Sequence, residues 1–160
     1  MHSIIIPTYK SNDDVDALVR ELNMKSTGDF EIIATCEKVS AAKNRNIGLN
    51  KASKDSTHII MIDDDINSLP YGWNEEMVRP MEEDKNIVMV SGRLLNVDGS
   101  VGMTMSGNYN TKDPIIFLDH GIAPTACIAF VKSKLRFDEA YVGSGFEDTD
   151  FCFQMCQEFA

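Results

Sequence analysis

The chain has 160 residues, of which 43% are apolar, and a formal net charge of −10. This length suits one domain around one core, and the apolar fraction is that of a folded globular protein. The acidic balance argues against a nucleic-acid-binding surface, which needs clustered lysine and arginine. It also means that an anionic diphosphate would need a cation beside it in an acidic site.

The sequence predicts no transmembrane segment, because no apolar run approaches the ~20 residues of a membrane span. The first residues lack the basic region of a signal peptide, and Pro7 interrupts their apolar run. We therefore expect a cytoplasmic location, with a position peripheral to a membrane as the alternative. The cysteines form no CxxC pair, so free thiols are expected, with Cys152 and Cys156 as two buried residues rather than a metal site.

The first part of the chain predicts alternating strands and helices. Apolar, β-branched runs at residues 3–6, 30–35 and 58–62 predict buried strands. Apolar residues at helical spacing within 15–22 predict one helix, and an alanine-rich segment from Ser40 to about Ala52 predicts another. This β-α-β-α-β order indicates a parallel sheet, which binds ligands beyond the carboxyl ends of its strands.

The second part predicts a helix up to Glu83, a strand at 87–90, a strand at 126–131 and a helix at 151–159. A hairpin is predicted from 93–96 and 101–105, turning at Asp98-Gly99. A polar loop at 106–113 and a flexible turn at 143–145 complete the assignment. We expect a single domain over 1–160.

Three adjacent aspartates, Asp63, Asp64 and Asp65, follow the third predicted strand. Their carboxylates repel one another, and a divalent cation that accepts oxygen ligands would hold them together. Mg²⁺ and Mn²⁺ both accept such ligands. The alternative is a solvated acidic turn, and from these residues alone both interpretations stay open.

A second acidic group, Glu147, Asp148 and Asp150, lies at a predicted helix start after Gly145. Acids at a helix start are ordinary partners of the helix dipole. The functional alternative is a general base, which needs a carboxylate within hydrogen-bond reach of an acceptor hydroxyl.

Other candidates carry a structural interpretation that is at least as good. Arg45 and Lys43 are candidates for phosphate or base contacts, or are solvated helix charges. Tyr9 is a candidate for stacking on a nucleobase, Trp73 for an acceptor contact, and His120 for an unassigned site residue.

Five segments in order resemble family 2 glycosyltransferases of the GT-A fold. They are Ile4-Ile5-Ile6-Pro7-Thr8-Tyr9, Arg45-Asn46-Ile47-Gly48, Ile60-Met61-Ile62-Asp63-Asp64-Asp65, 88–99 and Gly145-Phe146-Glu147-Asp148-Thr149-Asp150. The resemblance spans nearly the whole chain and implies a nucleotide-binding half at about 1–66 and an acceptor-side half at about 67–160. It implies a three-layer α/β/α, Rossmann-like fold with a mixed, mostly parallel sheet and helices on both faces.

The resemblance also implies transfer of a sugar, usually with inversion, from a UDP- or GDP-type nucleotide donor to a glycan or lipid-linked acceptor. Asp65 and Asp63 would hold Mn²⁺ or Mg²⁺, with Asp63 alternatively on the ribose. Asp64, between them in the donor site, is the aspartate whose loss should matter least. Asp148 would be the base, with Glu147 or Asp150 in reserve. The nucleotide site would comprise Pro7, Thr8, Tyr9, Glu37 and Arg45.

Two departures from the family pattern leave alternatives open. The second strand ends in Cys36-Glu37 where the family has an Asp-Asp pair, and the chain stops soon after the acidic helix. A non-catalytic nucleotide-sugar-binding module is therefore the second hypothesis. A nucleotidyltransferase is disfavoured, because Lys10-Ser11-Asn12 lacks the glycine-rich loop expected for a triphosphate.

Overall fold

The computed structural model describes residues 1–100, 102, 123, 125–142 and 145–159, without the side chains of 12–14. The described elements are β1 (His2–Pro7), α1 (Asn12–Lys25), β2 (Phe30–Thr35), α2 (Ala41–Lys51), β3 (His58–Ile62), α3 (Trp73–Glu83), β4 (Met89–Ser91), β5 (Cys127–Val131) and α4 (Glu147–Glu158).

The strands form one five-stranded sheet in the order β2-β1-β3-β5-β4. Strand β1 pairs in parallel with both β2 and β3, whereas β5 runs antiparallel to its neighbours β3 and β4. All strands except β5 therefore point the same way. This arrangement confirms the predicted mixed, mostly parallel sheet.

Helices cover both faces of the sheet, as predicted. Ile4 and Ile6 pack with residues of α1 and α3, while Ile5 between them packs with residues of α2 and α4. The same alternation in β3 and β5 gives each face its own apolar cluster, because successive side chains of a strand point to opposite faces. The result is the expected three-layer α/β/α architecture.

Helix α2 lies unusually close to the sheet at Gly48. A Cβ atom at this position would clash with the Cγ2 atom of Ile5 in β1. Glycine is therefore required at this position by the close approach of the helix to the strand. The side chains of Asn44, Arg45 and Asn46 are consequently buried on the same helix and must find polar partners.

The boundaries of two elements differ from the prediction. Helix α4 begins at Glu147 rather than Phe151, because the acids of its first turn belong to the helix, where they suit its dipole. Strand β4 covers Met89–Ser91 rather than 87–90. Cys156 is partly exposed and not buried, while all the described cysteines are free, as expected.

The predicted turn at Asp98-Gly99 is confirmed. The Asn96 N–H donates to the Ser100 carbonyl at 2.8 Å, and Gly99 takes the left-handed conformation at φ 80°. The second strand of that hairpin falls almost entirely outside the described residues. The polar loop at 106–113, His120, Gly143 and Ser144 also lie outside them.

The chain segment between β4 and β5 is closed at its base by a main-chain hydrogen bond. The Gly92 N–H donates to the Cys127 carbonyl at 2.8 Å, directly after β4 and at the first residue of β5. This bond extends the antiparallel β4–β5 pairing by one step toward the edge where β3 ends.

We expect Gly48→Ala to lower the free energy of unfolding by about 1–3 kcal/mol, the usual cost of overpacking a core. Alanine favours a helix interior by about 1 kcal/mol over glycine, so a loss can only come from the clash with Ile5. Urea unfolding measures the change. Lys43→Ala, at an exposed position of the same helix, is the control and should change stability by less than about 0.5 kcal/mol. Unchanged or increased stability of Gly48→Ala would contradict the close packing.

Candidate functional site

The candidate site lies at the edge where β1, β2 and β3 end. Thr8 follows β1, Glu37 follows β2, and Asp63 follows β3. Because β5 is antiparallel, its first residues reach the same edge, and the Asp63 N–H donates to the Ala126 carbonyl at 2.8 Å. The sheet therefore brings the predicted strand-end segments together, and β5 adds Thr125, which sequence reasoning did not identify.

Asp64 is the most extensively bound of the three aspartates. Its Oδ1 atom lies 2.8 Å from the Lys10 ammonium group, and its Oδ2 atom accepts a hydrogen bond from the Thr8 hydroxyl. The Lys10 N–H in turn donates to the Thr8 Oγ1 atom at 2.9 Å. Asp64 thus joins the turn after β1 to the turn after β3. The prediction that its loss matters least overlooked this structural role.

Asp63 is partly buried and has a pKa above its usual value. Burial is the main cause, and the negative charges of Asp65, Asp64 and Asp148 raise the pKa further. Arg45 opposes the shift, with its Nη2 atom 3.9 Å from the Asp63 Oδ1 atom. The Asp63 carboxylate is therefore held in surroundings that favour an additional positive charge.

Asp65 is exposed, and its carboxylate has no hydrogen bond or ion pair with any residue in the described part of the chain. Asp63 and Asp65 supply carboxylate oxygens, the ligand type that Mg²⁺ and Mn²⁺ take. Across the described ranges, no group of three or more acidic, histidine or cysteine side chains gathers in a form that could hold a metal. The donor set fits a cation that takes one or two carboxylates and completes its shell with substrate phosphates and water.

Arg45 forms a buried ion pair with Glu147. The Nη1 atom lies 2.7 Å from the Glu147 Oε1 atom, and the two residues are only 8% and 3% exposed. The Arg45 guanidinium also lies 5.4 Å from the centre of the Phe137 ring. This pair connects α2 to the start of α4, and it explains why the acidic segment reaches the sheet edge.

Glu147 is held as a carboxylate. Burial alone would raise the pKa of this group, but hydrogen bonds from its own backbone N–H, from Arg45 and from the Gly145 N–H outweigh burial and lower the pKa below the usual 4.5. The Gly145 N–H donates to the Oε2 atom at 2.7 Å. Both carboxylate oxygens are therefore occupied by the protein.

Asp148 and Asp150 are partly exposed on the first turn of α4. The Asp148 Oδ1 atom accepts the Thr149 N–H at 2.7 Å, and its Oδ2 atom lies 3.5 Å from the Thr125 hydroxyl. Asp150 accepts a hydrogen bond from the Gln154 side-chain amide. Among the three predicted base candidates, Glu147 has both oxygens engaged, whereas Asp148 and Asp150 each keep one oxygen that is weakly bound or unbound within the described residues.

The nucleotide-side candidates differ in exposure. Tyr9 and Glu37 are exposed, Pro7 is half-buried, and Thr8 is buried with its hydroxyl directed to Asp64. Arg45, which was predicted to lie near the nucleobase, is instead engaged in the buried pair with Glu147.

Asn44 is a further site residue that sequence reasoning missed. Its side-chain amide donates to the Thr8 carbonyl at 2.9 Å and to the Thr35 carbonyl at 3.1 Å, so it fixes the ends of β1 and β2 side by side. Its position beside Arg45-Asn46, on a helix that faces the sheet, was a usable signal. A buried polar side chain on such a helix needs main-chain partners.

A cavity of about 290 Å³ lies at the opposite edge of the sheet, where β3 begins and β5 ends. Its lining includes His58, Lys85 and Val131 and contains no carboxylate. Among the described residues this cavity therefore offers no side-chain carboxylate to a hard cation, and the strand-end carboxylates define the candidate site.

We expect Glu147→Gln to lower the free energy of unfolding by about 2 kcal/mol near neutral pH, because a buried charge-assisted hydrogen bond is weakened. A carboxyl group whose pKa is lowered by folding stabilises the folded state above its unfolded pKa. The difference between wild type and variant should therefore shrink as the pH falls through 4.5 and below. Urea unfolding as a function of pH measures it. Glu76→Gln, in the exposed pair with Arg79, is the control and should show no such dependence. A pH-independent difference for Glu147→Gln would contradict the assignment.

Comparison with known proteins finds a match to the family model of glycosyl transferase family 2 over residues 35–142. The matched range exceeds half of the chain and contains Arg45 and the three aspartates, whereas Glu147 and Asp148 lie beyond it. Among curated proteins, none matches the sequence. None of the helices in the described part of the chain is long and apolar enough to span a bilayer.

A solved structure similar to this chain is that of a Drosophila β-1,4-galactosyltransferase 7 mutant in complex with manganese, UDP-Gal and xylobiose. The TM-score is 0.53 at 11% identity, over 99% of this chain and 61% of the other. This likeness supports the GT-A fold, and the chain spans about three fifths of the galactosyltransferase. A second similar structure is that of 4-diphosphocytidyl-2C-methyl-D-erythritol synthase from Anaerococcus prevotii. Its TM-score is 0.40 at 9% identity, over 98% of this chain and 96% of the other. This likeness is too distant to inform the fold or the function. The family match and the architecture agree, and the chain belongs to glycosyl transferase family 2.

Proposed function

We propose that this protein transfers a sugar from a nucleotide-diphosphate-sugar donor to an acceptor hydroxyl, with inversion and with a divalent cation. The observation that carries the proposal is the pairing of two unlike carboxylate groups at one edge of the sheet. After β3, Asp63 lies 3.9 Å from Arg45, and Asp65 is exposed. At the start of α4, Asp148 is linked to the same guanidinium through Thr125. Family membership makes sugar transfer the chemistry that such an edge would serve.

On the donor side, Asp65 and Asp63 would hold Mn²⁺ or Mg²⁺. The bound cation would supply stabilisation of the negative charge that builds on the leaving diphosphate. The manganese and UDP-Gal in the similar galactosyltransferase structure support a nucleotide sugar and a cation of this type. Asp64 would act indirectly by fixing the turn through Lys10 and Thr8.

The nucleotide would lie along the turns after β1 and β2. Tyr9 is exposed and suited to stack on a base, and Glu37 is exposed where its carboxylate can accept hydrogen bonds from one. Pro7 and the main chain of Thr8, fixed by Asn44, would form the floor. A UDP- or GDP-type donor is consistent with this arrangement.

On the acceptor side, Asp148 is the proposed general base. It would take the proton of the acceptor hydroxyl as that oxygen bonds to the anomeric carbon and the bond to the diphosphate oxygen breaks. Inversion results because this is one direct displacement, with the hydroxyl attacking the face opposite the leaving diphosphate. Asp148 is preferred because Thr125 links it to Arg45, whereas both oxygens of Glu147 are engaged by the protein. Asp150, with Gln154 on one of its oxygens, is the reserve candidate.

The division of labour follows the chain, with the donor site in residues 1–66 and the acceptor side in 67–160. A glycan acceptor is favoured by the xylobiose in the similar structure, and a lipid-linked acceptor is the alternative. A cytoplasmic location stays a prediction from the sequence.

Donor binding is tested by titrating UDP and GDP into the protein by calorimetry, with Mn²⁺ and with a chelator. We expect binding that requires Mn²⁺ and that weakens about 10-fold or more in Asp65→Asn, because a metal ligand is lost. Asp55→Asn removes the same charge at the opposite edge of the sheet and should bind as wild type does. No binding of either nucleotide, with or without Mn²⁺, would refute the proposal.

Catalysis is tested separately with Asp148→Asn, which should retain Mn²⁺-dependent nucleotide binding. Donor turnover should fall by about 100-fold or more, because general-base catalysis contributes 10²–10⁴-fold. Release of UDP or GDP from the matching nucleotide sugar, with a panel of glycans as acceptors, measures it. Nucleotide binding without turnover in the wild type would instead favour the non-catalytic module.

A further inference from the structure

Arg45 is the one side chain that contacts both halves of the proposed site in the described part of the chain. It meets Glu147 at 2.7 Å and approaches Asp63 at 3.9 Å. Its Nη2 atom also donates to the Thr125 Oγ1 atom at 3.4 Å. The guanidinium is buried, and its Nε atom has no hydrogen-bond partner among the residues that the structure describes. So many constraints on a buried cation indicate a role beyond packing.

The carboxylates of Asp63 and Glu147 compete for the Arg45 guanidinium. A guanidinium that paired fully with Asp63 would neutralise it and repel a divalent cation from the same carboxylate. The distances show that Arg45 is committed to Glu147 instead, since 2.7 Å is a charge-assisted hydrogen bond and 3.9 Å is not. Glu147 therefore withholds Arg45 from Asp63.

The same side chain leads to the proposed base. Thr125 accepts from Arg45, and its hydroxyl proton is then directed to the Asp148 Oδ2 atom at 3.5 Å. The Arg45 guanidinium can only donate hydrogen bonds. The Thr125 hydroxyl must therefore accept from Arg45, and it is left to donate its own proton to Asp148. Asp148 is thereby oriented by the same guanidinium that lies 3.9 Å from Asp63.

We infer that Arg45 and Glu147 form a positioning pair, in which Glu147 keeps Asp63 available for a divalent cation while Arg45 orients Asp148 through Thr125. The inference rests on the proposed function and deepens it. Both residues are buried, so the pair would act through Asp63 and Asp148. The pair couples occupancy of the cation site to the orientation of Asp148. It also explains why Glu147, whose two oxygens are both engaged, lies next to Asp148.

The competition of Glu147 and Asp63 for the positive charge of Arg45 can be tested with single and double variants. Glu147→Gln keeps the shape of the side chain but frees Arg45 to approach Asp63, so Mn²⁺ should bind more weakly by about 10-fold or more. Adding Arg45→Met removes the competing cation, so Arg45→Met/Glu147→Gln should recover the Mn²⁺ affinity to within about threefold of wild type. A purely structural pair would leave the double variant as weak as the single one.

Mn²⁺ binding in the presence of UDP is measured from the electron paramagnetic resonance signal of free Mn²⁺, with circular dichroism as a check of folding. Glu76→Gln and Arg79→Met/Glu76→Gln repeat the same charge changes on the exposed face of α3 and should bind Mn²⁺ as wild type does. An unaltered affinity in Glu147→Gln, or no recovery in the double variant, would overturn the inference. Absence of Mn²⁺ binding in the wild type would instead refute the proposed function itself, and the inference with it.

Thr125→Val tests the second half of the inference without changing any charge. Valine has the shape of threonine but cannot relay the hydrogen bond to Asp148. We expect Mn²⁺ affinity and the KM for the donor to stay unchanged while kcat falls by about tenfold, because only the orientation of the base is lost. Equal loss of Mn²⁺ affinity and kcat, or no loss of either, would overturn this link. The Thr125→Val experiment remains informative if Glu147→Gln fails to fold.

Discussion

The tight packing of α2 against β1 determines much of what surrounds the candidate site. Gly48 allows the helix to approach Ile5, and the approach buries polar side chains that would otherwise face solvent. Each of them must find a partner, because an unpaired buried polar group costs roughly 1–3 kcal/mol. Asn44 finds the ends of β1 and β2, Arg45 finds Glu147, and Asn46 pairs with the main chain of Phe137.

These partners come from distant parts of the chain. One helix therefore aligns two strand ends, the start of α4 and the turn after β5 relative to one another. The edge of the sheet is organised by buried polar contacts of α2 more than by the loops that carry the acidic residues. An apolar helix in the same place would pack on the sheet but would make no hydrogen bonds that fix those segments relative to one another.

The fold was predictable because its signals are local and repeated. The apolar runs identified β1, β2, β3 and β5, and their alternation with helices indicated a mostly parallel sheet. The placement of Asp63, Glu37 and Thr8 at one edge followed from the direction of parallel strands. The resemblance of Arg45-Asn46-Ile47-Gly48 to a family motif located the important helix without revealing what its residues contact.

The finer points depended on contacts that no local pattern encodes. The role of Asp64 follows from Lys10 and Thr8, which are distant from it in sequence. The difference between Glu147 and Asp148, two adjacent acids, comes from which one faces Arg45. Thr125 becomes part of the site only because β5 runs antiparallel and starts where β3 ends. Each of these facts depends on a contact between residues that are distant in sequence.

The closed base between β4 and β5 has a consequence for how this protein can diversify. With the Gly92 N–H bound to the Cys127 carbonyl, the intervening stretch leaves and rejoins the sheet at neighbouring points. The last two residues before Cys127 are bonded to the site, because the Ala126 carbonyl accepts from the Asp63 N–H and the Thr125 hydroxyl accepts from Arg45. A change of chain length between Gly92 and Thr125 is therefore compatible with the site only where these two residues keep their places. Variation of this stretch among related chains would stop short of Thr125, while the aspartates and Arg45 keep the geometry that the strands give them.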